Sequence, residues 1–394
     1  FDIKSPYLSY AKLRASWAQT GNDASPFQLQ ETFTVGGPRG GSFQGLIYSS
    51  VADVRPNPDL KPEITNSYEI GARIATLGER LDAEFTFYSQ TTKNQTLSVP
   101  ISSASGFTAQ VINVGKVSNT GVEGRLSGTI LERDDLQWDL SVNASTNEST
   151  VEDFPGDITT RVLGTNRMGV QVIAEEGGEF GTLIGTKYKR NDDGEIIVDA
   201  SGIPKRADSR GEIGNYQPDW TGGASTTFRW RNLSLRALVD TRQGGDIYST
   251  SNVIAHENGN HEATLRGRED GFVFDGVKED GTPNDVNVSP QAFWSDVAAF
   301  PGGAIDEEFV YDASFIRLRE LSLSYSFPDE LIGQTPLQSV RLTLTGKNLF
   351  FLERHTDGFD PTAYSRASTT GVQGLEYAPF PNTRSFGANL NVRF

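Results

Sequence analysis

The chain has 394 residues, with 51 Asp and Glu against 35 Lys and Arg; the net charge of −16 argues against general nucleic-acid binding. Cysteine is absent, which excludes disulfide scaffolds, thiolate zinc sites and cysteine nucleophiles. Mean hydropathy is −0.41 and no apolar run reaches the roughly 18 residues of a membrane helix, yet a membrane-spanning strand needs only about 9–11 residues, alternate ones facing lipid.

Period-two alternation recurs along the whole chain. In "LDAEFTFYS", Leu81, Ala83, Phe85 and Phe87 share one face, and Asp82, Glu84 and Thr86 the other. "QWDLSVNAS" sets Trp138, Leu140, Val142 and Ala144 against Gln137, Asp139, Ser141 and Asn143. "RELSLSYSFP" and "SVRLTLTGKN" repeat the pattern with Leu321, Leu323, Tyr325 and Phe327, then Val340, Leu342 and Leu344. Such segments predict strands near 7–19, 66–77, 80–92, 119–131, 136–148, 219–230, 232–244, 313–327, 338–350 and 384–394. No long amphipathic helix competes with them.

The connections alternate between short and long. "TLGER", "ERDD", "RN" and "PDELIGQTPLQ" are the short ones; 20–65, 93–118, 149–218, 245–312 and 351–383 are the long ones. In an up-and-down antiparallel sheet, this puts every turn at one end and every long loop at the other, the asymmetry of outer-membrane barrels. A soluble sandwich would favour connections of about 4–6 residues. If the last strand runs towards the periplasm, Trp17, Trp220 and Phe350 fall near outer strand ends. Trp138, Trp230, Phe327 and Phe394 fall near inner ends, giving the two aromatic girdles expected at headgroup level. Around Arg317 and Arg319 the alternation slips, which predicts a bulge or a strand end.

Catalytic patterns are missing. His256 and His261 in "AHENGNHE" do not make HExxH and are expected in a loop, as is His355. There is no G-x-S-x-G elbow, and "GGPRGG" at 36–41 joins no strand to a helix. Asp134–Asp135 and Glu307–Glu308 are expected as solvated loop charges. Asp192, Asp193 and Asp199 in "NDDGEIIVDASG" are a weak calcium candidate without EF-hand spacing; the alternative is a hairpin with turns at "DDG" and "DASG". The expectation is therefore a protein that is not an enzyme and carries no cofactor, with calcium as the one option.

Several stretches resemble, in order and spacing, the SusC/RagA family of TonB-dependent outer-membrane transporters of Bacteroidetes-type bacteria. They are "KLRASWAQTGN", "NPDLKPE", "GFTAQVINVGKVSNTGVEG", "GNYQPDWTGG", "DTRQGGDIYS", "DASFIRLRELSLSYSFP", "GKNLF", "GFDP" and "FPNTRSFGANLNVRF". One departure is Pro62, where the family usually carries Trp. The resemblance implies an all-β, antiparallel up-and-down transmembrane β-barrel, of which residues 1–394 supply about the last ten of 22 strands. The N-terminal plug, the TonB box and the signal peptide would lie outside this sequence; a complete ten-stranded barrel is the alternative.

Its function would be TonB-dependent import of a large glycan or peptide, with a SusD-like surface lipoprotein as a hinged lid. A passive channel and a receptor barrel without transport are the alternatives. Outer-membrane lipid, TonB and the barrel assembly machinery would be the other partners. Loops 149–218, 245–312 and 351–383 would meet lid and ligand, with Trp294, Tyr377 and Phe380 as candidate contacts. Phe394, closing an apolar row on the last strand, resembles the signal read by the assembly machinery.

Overall fold

The computed structural model describes residues 8–35, 42–43, 46–154, 159–362, 373–380 and 382–394. Ten long strands form one antiparallel meander: β1 (Leu8–Asn22), β2 (Glu63–Thr76), β3 (Leu81–Pro100), β4 (Ala109–Arg133), β5 (Leu136–Asp153), β6 (Trp220–Trp230), β7 (Leu233–Gln243), β8 (Phe315–Ser326), β9 (Ser339–Arg354) and β10 (Ser385–Arg393). Each pairs with its sequence neighbours, and β1 and β10 are the two edges of an unclosed sheet. All ten lie where alternation placed them. Among the described residues no helix is long and apolar enough to cross a membrane; the strands carry the crossing pattern.

Register turns the alternation of single strands into two continuous faces. One row of directly opposed residues reads Ala11, Ile74, Ala83, Leu126, Val142, Ala224, Val239, Leu318 and Phe350 across nine strands. A second reads Phe228, Leu235, Leu323, Leu344 and Ala388 through to β10. The opposite face carries Lys12, Arg73, Glu84, Arg125, Asn143, Gly223, Asp240 and Arg317 in one row. A one-residue slip would send every side chain to the other face, so two such unbroken rows fix the register.

The slip near Arg319 is a bulge: pairing jumps between Leu238 and Val239 on β7, opposite Glu320 and Leu318 on β8. It keeps Leu318 on the apolar face and leaves Arg317 and Arg319 both within reach of Asp240. Aromatic side chains gather at strand ends as expected. Trp17 faces Tyr68 at the outer end. At the inner end Trp138 faces Phe228, and the Tyr325 and Phe327 rings meet edge-on at 5.2 Å.

Two expectations are corrected. Residues 93–118 are not a long loop: β3 and β4 run on past the other strands, and only 101–108 connect them, because alternation weakens there while backbone pairing continues. Short helices form in the connections: α1 (Thr250–Glu257) and α2 (Pro290–Val297) in 245–312, and α3 (Asp329–Ile332) in the turn before β9. Finally, His256 is not a loop residue but stands, buried, on α1. "GGPRGG" lies outside the described residues.

The hydrophobic core sits in the loops. Val170, Val172, Leu183, Tyr248, Val253, Phe293, Val297, Ile305, Phe309 and Leu375 are buried together. They come from all three of the longest connections, so these fold as one body at one end of the sheet. A four-stranded sheet (Thr160–Thr165, Gln171–Glu175, Phe180–Tyr188, Arg206–Asn215) and a three-stranded one (Val310–Asp312, Asp246–Ser249, Leu375–Glu376) frame it.

Candidate functional site

Two surfaces carry the chemistry: the polar face of the sheet and the loop body above it. On the polar face, ion pairs and hydroxyl ladders tie neighbouring strands. Arg73 pairs with Asp82 (2.8 Å), Arg229 with Asp139 (2.5 Å), and Ser324 with Thr343 (2.9 Å). Two side chains reach further, crossing one strand to the next. Arg14 of β1 passes over Gly71 of β2 to Glu84 and Thr86 of β3. Tyr88 of β3 passes over Gly121 of β4, and its hydroxyl donates to Asn147 Oδ1 of β5 at 2.9 Å. Both crossings need a residue without a side chain beneath them.

The three loops are held to one another by carboxylates that accept from neutral donors. Asp306 accepts from the Thr186 amide (2.8 Å) and the Tyr248 hydroxyl (3.0 Å), and burial pushes its carboxyl above the usual range. Glu376, fully buried, accepts from the hydroxyls of Ser249 (2.6 Å) and Ser251 (2.5 Å), binding the last loop to the start of α1. Glu307 and Glu308 are tied down as well: the Tyr188 amide donates to Glu307 (3.0 Å) and its hydroxyl to Glu308 (2.7 Å). Asp134 and Asp135 stay in an exposed turn, Asp135 pairing with Arg231 at 3.1 Å.

The last loop is also clamped where it leaves the sheet. Arg317 lies near the rings of Phe315 and Phe351 and makes a forked pair with Asp240 (3.1 and 2.7 Å). Its remaining nitrogen donates to Thr362 (3.3 Å), and Asp360 joins Thr362 to Asn382. The outgoing and returning arms of the loop therefore meet at Asp360 and Thr362, and Thr362 ties them to Arg317.

The sequence-predicted site residues do not form one cluster. Trp294 lies on α2, only 8% exposed, in the loop core against Phe293 (4.9 Å) and His256 (4.4 Å). Its faces are thus largely covered. Phe380 is 98% exposed, and Tyr377 is half-buried beside Glu376. Phe394 is exposed, following the apolar row of β10. Asp199 accepts from the amides of Ser201 (2.8 Å) and Ile203 (3.0 Å), closing the "DASG" turn. Asp192 and Asp193 stand in the exposed "DDG" turn, closed by Gly194 donating to the Asn191 carbonyl (3.1 Å). Among the described residues no group of three or more His, Asp or Glu is placed to hold a metal ion.

The histidines form a pair that sequence reasoning missed. His256 and His261 stack at 3.9 Å, His261 approaches Asp357 (3.4 Å), and burial pushes His256 down to about 4. Two signals pointed to these helices: Ser289 before Pro290 is an N-cap followed by proline at the first helical position, and Ser249 caps α1 through the Asn252 amide (3.1 Å).

The family model for the TonB-dependent receptor-like β-barrel matches residues 5–349. The chain belongs to that family. Membership places it in a Gram-negative outer membrane, in keeping with the apolar rows of the sheet. TonB-dependent receptor P3 of Formosa agariphila is 28% identical over 97% of this chain and 39% of its own length. TonB-dependent receptor SusC of Bacteroides thetaiotaomicron is 24% identical over 98% of this chain and 38% of its own. The RagAB peptide transporter structure matches with a TM-score of 0.74 at 24% identity, covering all of this chain and 42% of that one. These relatives fit the SusC/RagA branch of the family. This TonB-dependent receptor barrel spans about two fifths of the curated relatives it matches.

Proposed function

We propose that this chain supplies about the last ten strands and the outer loop body of a 22-stranded importer, which takes up a large glycan or peptide with energy from TonB. The single observation that carries this is the join between a two-faced sheet and three long loops fused into one buried core. A passive pore needs the two faces but not an ordered body of this size over one end. The names of the relatives, SusC among them, support the energised reading. In that reading a plug and TonB box lie in the remainder of the protein, and a SusD-like lipoprotein closes over the loop body. In that reading exposed Phe380 and half-buried Tyr377 are the candidate lid or ligand contacts, while Trp294, buried in the loop core, has little surface to offer.

The test uses cells producing the full-length protein and offered fluorescent oligosaccharides and peptides. Uptake should stop when TonB is deleted or the proton gradient is collapsed; continued uptake would establish a passive channel instead. In the same cells, removing Phe394 should reduce the assembled, heat-modifiable barrel, and undiminished assembly would contradict its role as a signal.

A further inference from the structure

The second of the three long loops leaves and rejoins the sheet through one narrow neck. β7 runs into it through Gly244 and Gly245, both left-handed (φ 76° and 78°), and β8 is reached again through Ala313 and Ser314. The two sides of the neck are hydrogen-bonded: the Gly244 amide donates to the Ser314 hydroxyl (2.8 Å) and the Ala313 amide to the Gly245 carbonyl (2.8 Å). The first long loop joins the sheet at β5 and β6, on one side of this neck. A body held at a neck and on one side of it is still free to rock on the other side, towards β9.

Residues 355–362 occupy that other side. They leave β9 and touch the loop body at three places. The Asn252 side chain of α1 donates to the Asp357 carbonyl (2.9 Å), the Asp357 carboxylate approaches His261 (3.4 Å), and the Phe359 ring meets the Tyr311 ring edge-on at 5.5 Å. They also touch the wall: the His355 amide donates to the Ser314 carbonyl (3.3 Å), and the Thr362 hydroxyl accepts from Arg317 (3.3 Å). Between these contacts the segment closes on itself twice. The Thr356 hydroxyl donates to the Phe359 carbonyl (2.8 Å) around left-handed Gly358, and Asp360 accepts from the amide and hydroxyl of Thr362 (2.8 and 2.7 Å). Two closed turns in succession make a stiff link rather than a slack one. The wall end is fixed as well. Arg317 is 5% exposed, and the carboxylate it grips also accepts from Arg319 (3.0 Å).

We propose that residues 355–362 are a strap that ties the α1 corner of the loop body to the wall and so sets where the body sits over the polar face, with Arg317 as the positioning residue at the wall end. The strap meets that arginine through one hydrogen bond to Thr362, which lies outside the buried core. The proposal rests on the import reading only for its purpose, holding the body in place over the lumen.

The test measures the distance between two spin labels on the full-length protein in detergent. One is at Asp134→Cys, in the exposed turn after β4, and one at Glu262→Cys, exposed beside His261, with any cysteine in the remainder of the protein replaced. With the strap intact the distances should form one narrow peak. Thr362→Val, which keeps the shape and loses the hydroxyl, should broaden or shift it; Thr362→Ser, which keeps the hydroxyl, should restore it. Asn252→Ala cuts the other end, and Asp357→Ala replaces it if that variant fails to assemble. Both cuts act on one strap, so the double variant should be no broader than the broader single. Hydrogen exchange at Val172, Leu183 and Phe309 should stay slow throughout, the body moving whole. The proposal is overturned if Thr362→Val and wild type give the same peak, if Thr362→Ser behaves like Thr362→Val, if the two cuts add, or if those core amides lose protection with the distance. Neither readout involves transport. TonB-independent uptake would remove the import reading and leave the strap; unchanged distances beside TonB-dependent uptake would do the reverse.

Discussion

Gly71 and Gly121 each lie under a long side chain that crosses a strand, yet they should respond differently to substitution. A Cβ at Gly71 would meet only the Arg14 side chain, at 2.5–3.1 Å. A Cβ at Gly121 would meet the Thr146 backbone carbonyl as well as the Tyr88 ring. A side chain can swing aside; a paired strand cannot. Gly71→Ala should therefore be destabilising alone but nearly neutral when combined with Arg14→Ala. Gly121→Ala should cost about 1–3 kcal/mol, and Tyr88→Ala should not rescue it. Unfolding midpoints of the full-length barrel in detergent would show this, and equal rescue at both sites would contradict the crossing geometry.

At the scale of elements, the strands depend on which face a residue takes. Leu323 stands between Leu235 and Leu344 in the apolar row, and Ser322 faces Thr345 on the polar side at 3.2 Å. Leu323→Arg should cost about 2–4 kcal/mol in a bilayer, whereas Ser322→Arg, one residue away, should cost little. Folding titrations in liposomes would compare them; equal costs would mean the faces are misassigned. The strand positions were legible from the sequence because period-two alternation is a local signal, readable in Leu81 to Phe87 without any partner. The continuation of β3 and β4 was not, because it depends on pairing between the two strands rather than on either alone. The helices α1 and α2 are short enough that their caps outweigh their periodicity, and the caps at Ser249 and Ser289–Pro290 were the readable trace.

For the whole molecule, the loop body should behave as one cooperative unit, since its core is drawn from three connections. His256 stands inside that core, against Trp294 and Phe309, with its pKa lowered from 6.5 to about 4 by burial. Below pH 6.5 the unfolded body takes up a proton that the folded one refuses. Stability present above 6.5 is thus lost progressively as the pH falls towards 4, with about 2 kcal/mol gone at pH 5. Asp306, whose carboxyl is raised by burial, works in the opposite sense, so the His256 share is read as the difference between wild type and His256→Gln. Hydrogen exchange in all three loops should quicken between pH 7 and pH 5 in wild type and change less in the variant. Quickening confined to α1 would contradict a shared core.

The sequence by itself determined the ten strands, their up-and-down order, the two faces and the end at which the long loops lie. All of these follow from local alternation and from connection length. Tertiary structure decided the rest: that Arg317 fastens the last loop through Thr362, that Glu376 and Asp306 bind separate loops together, and that His256 packs against Trp294. Those contacts join residues far apart in the chain, and their residue types say nothing singly. A glutamate in a loop reads as a solvated charge until two serines from another loop close over it.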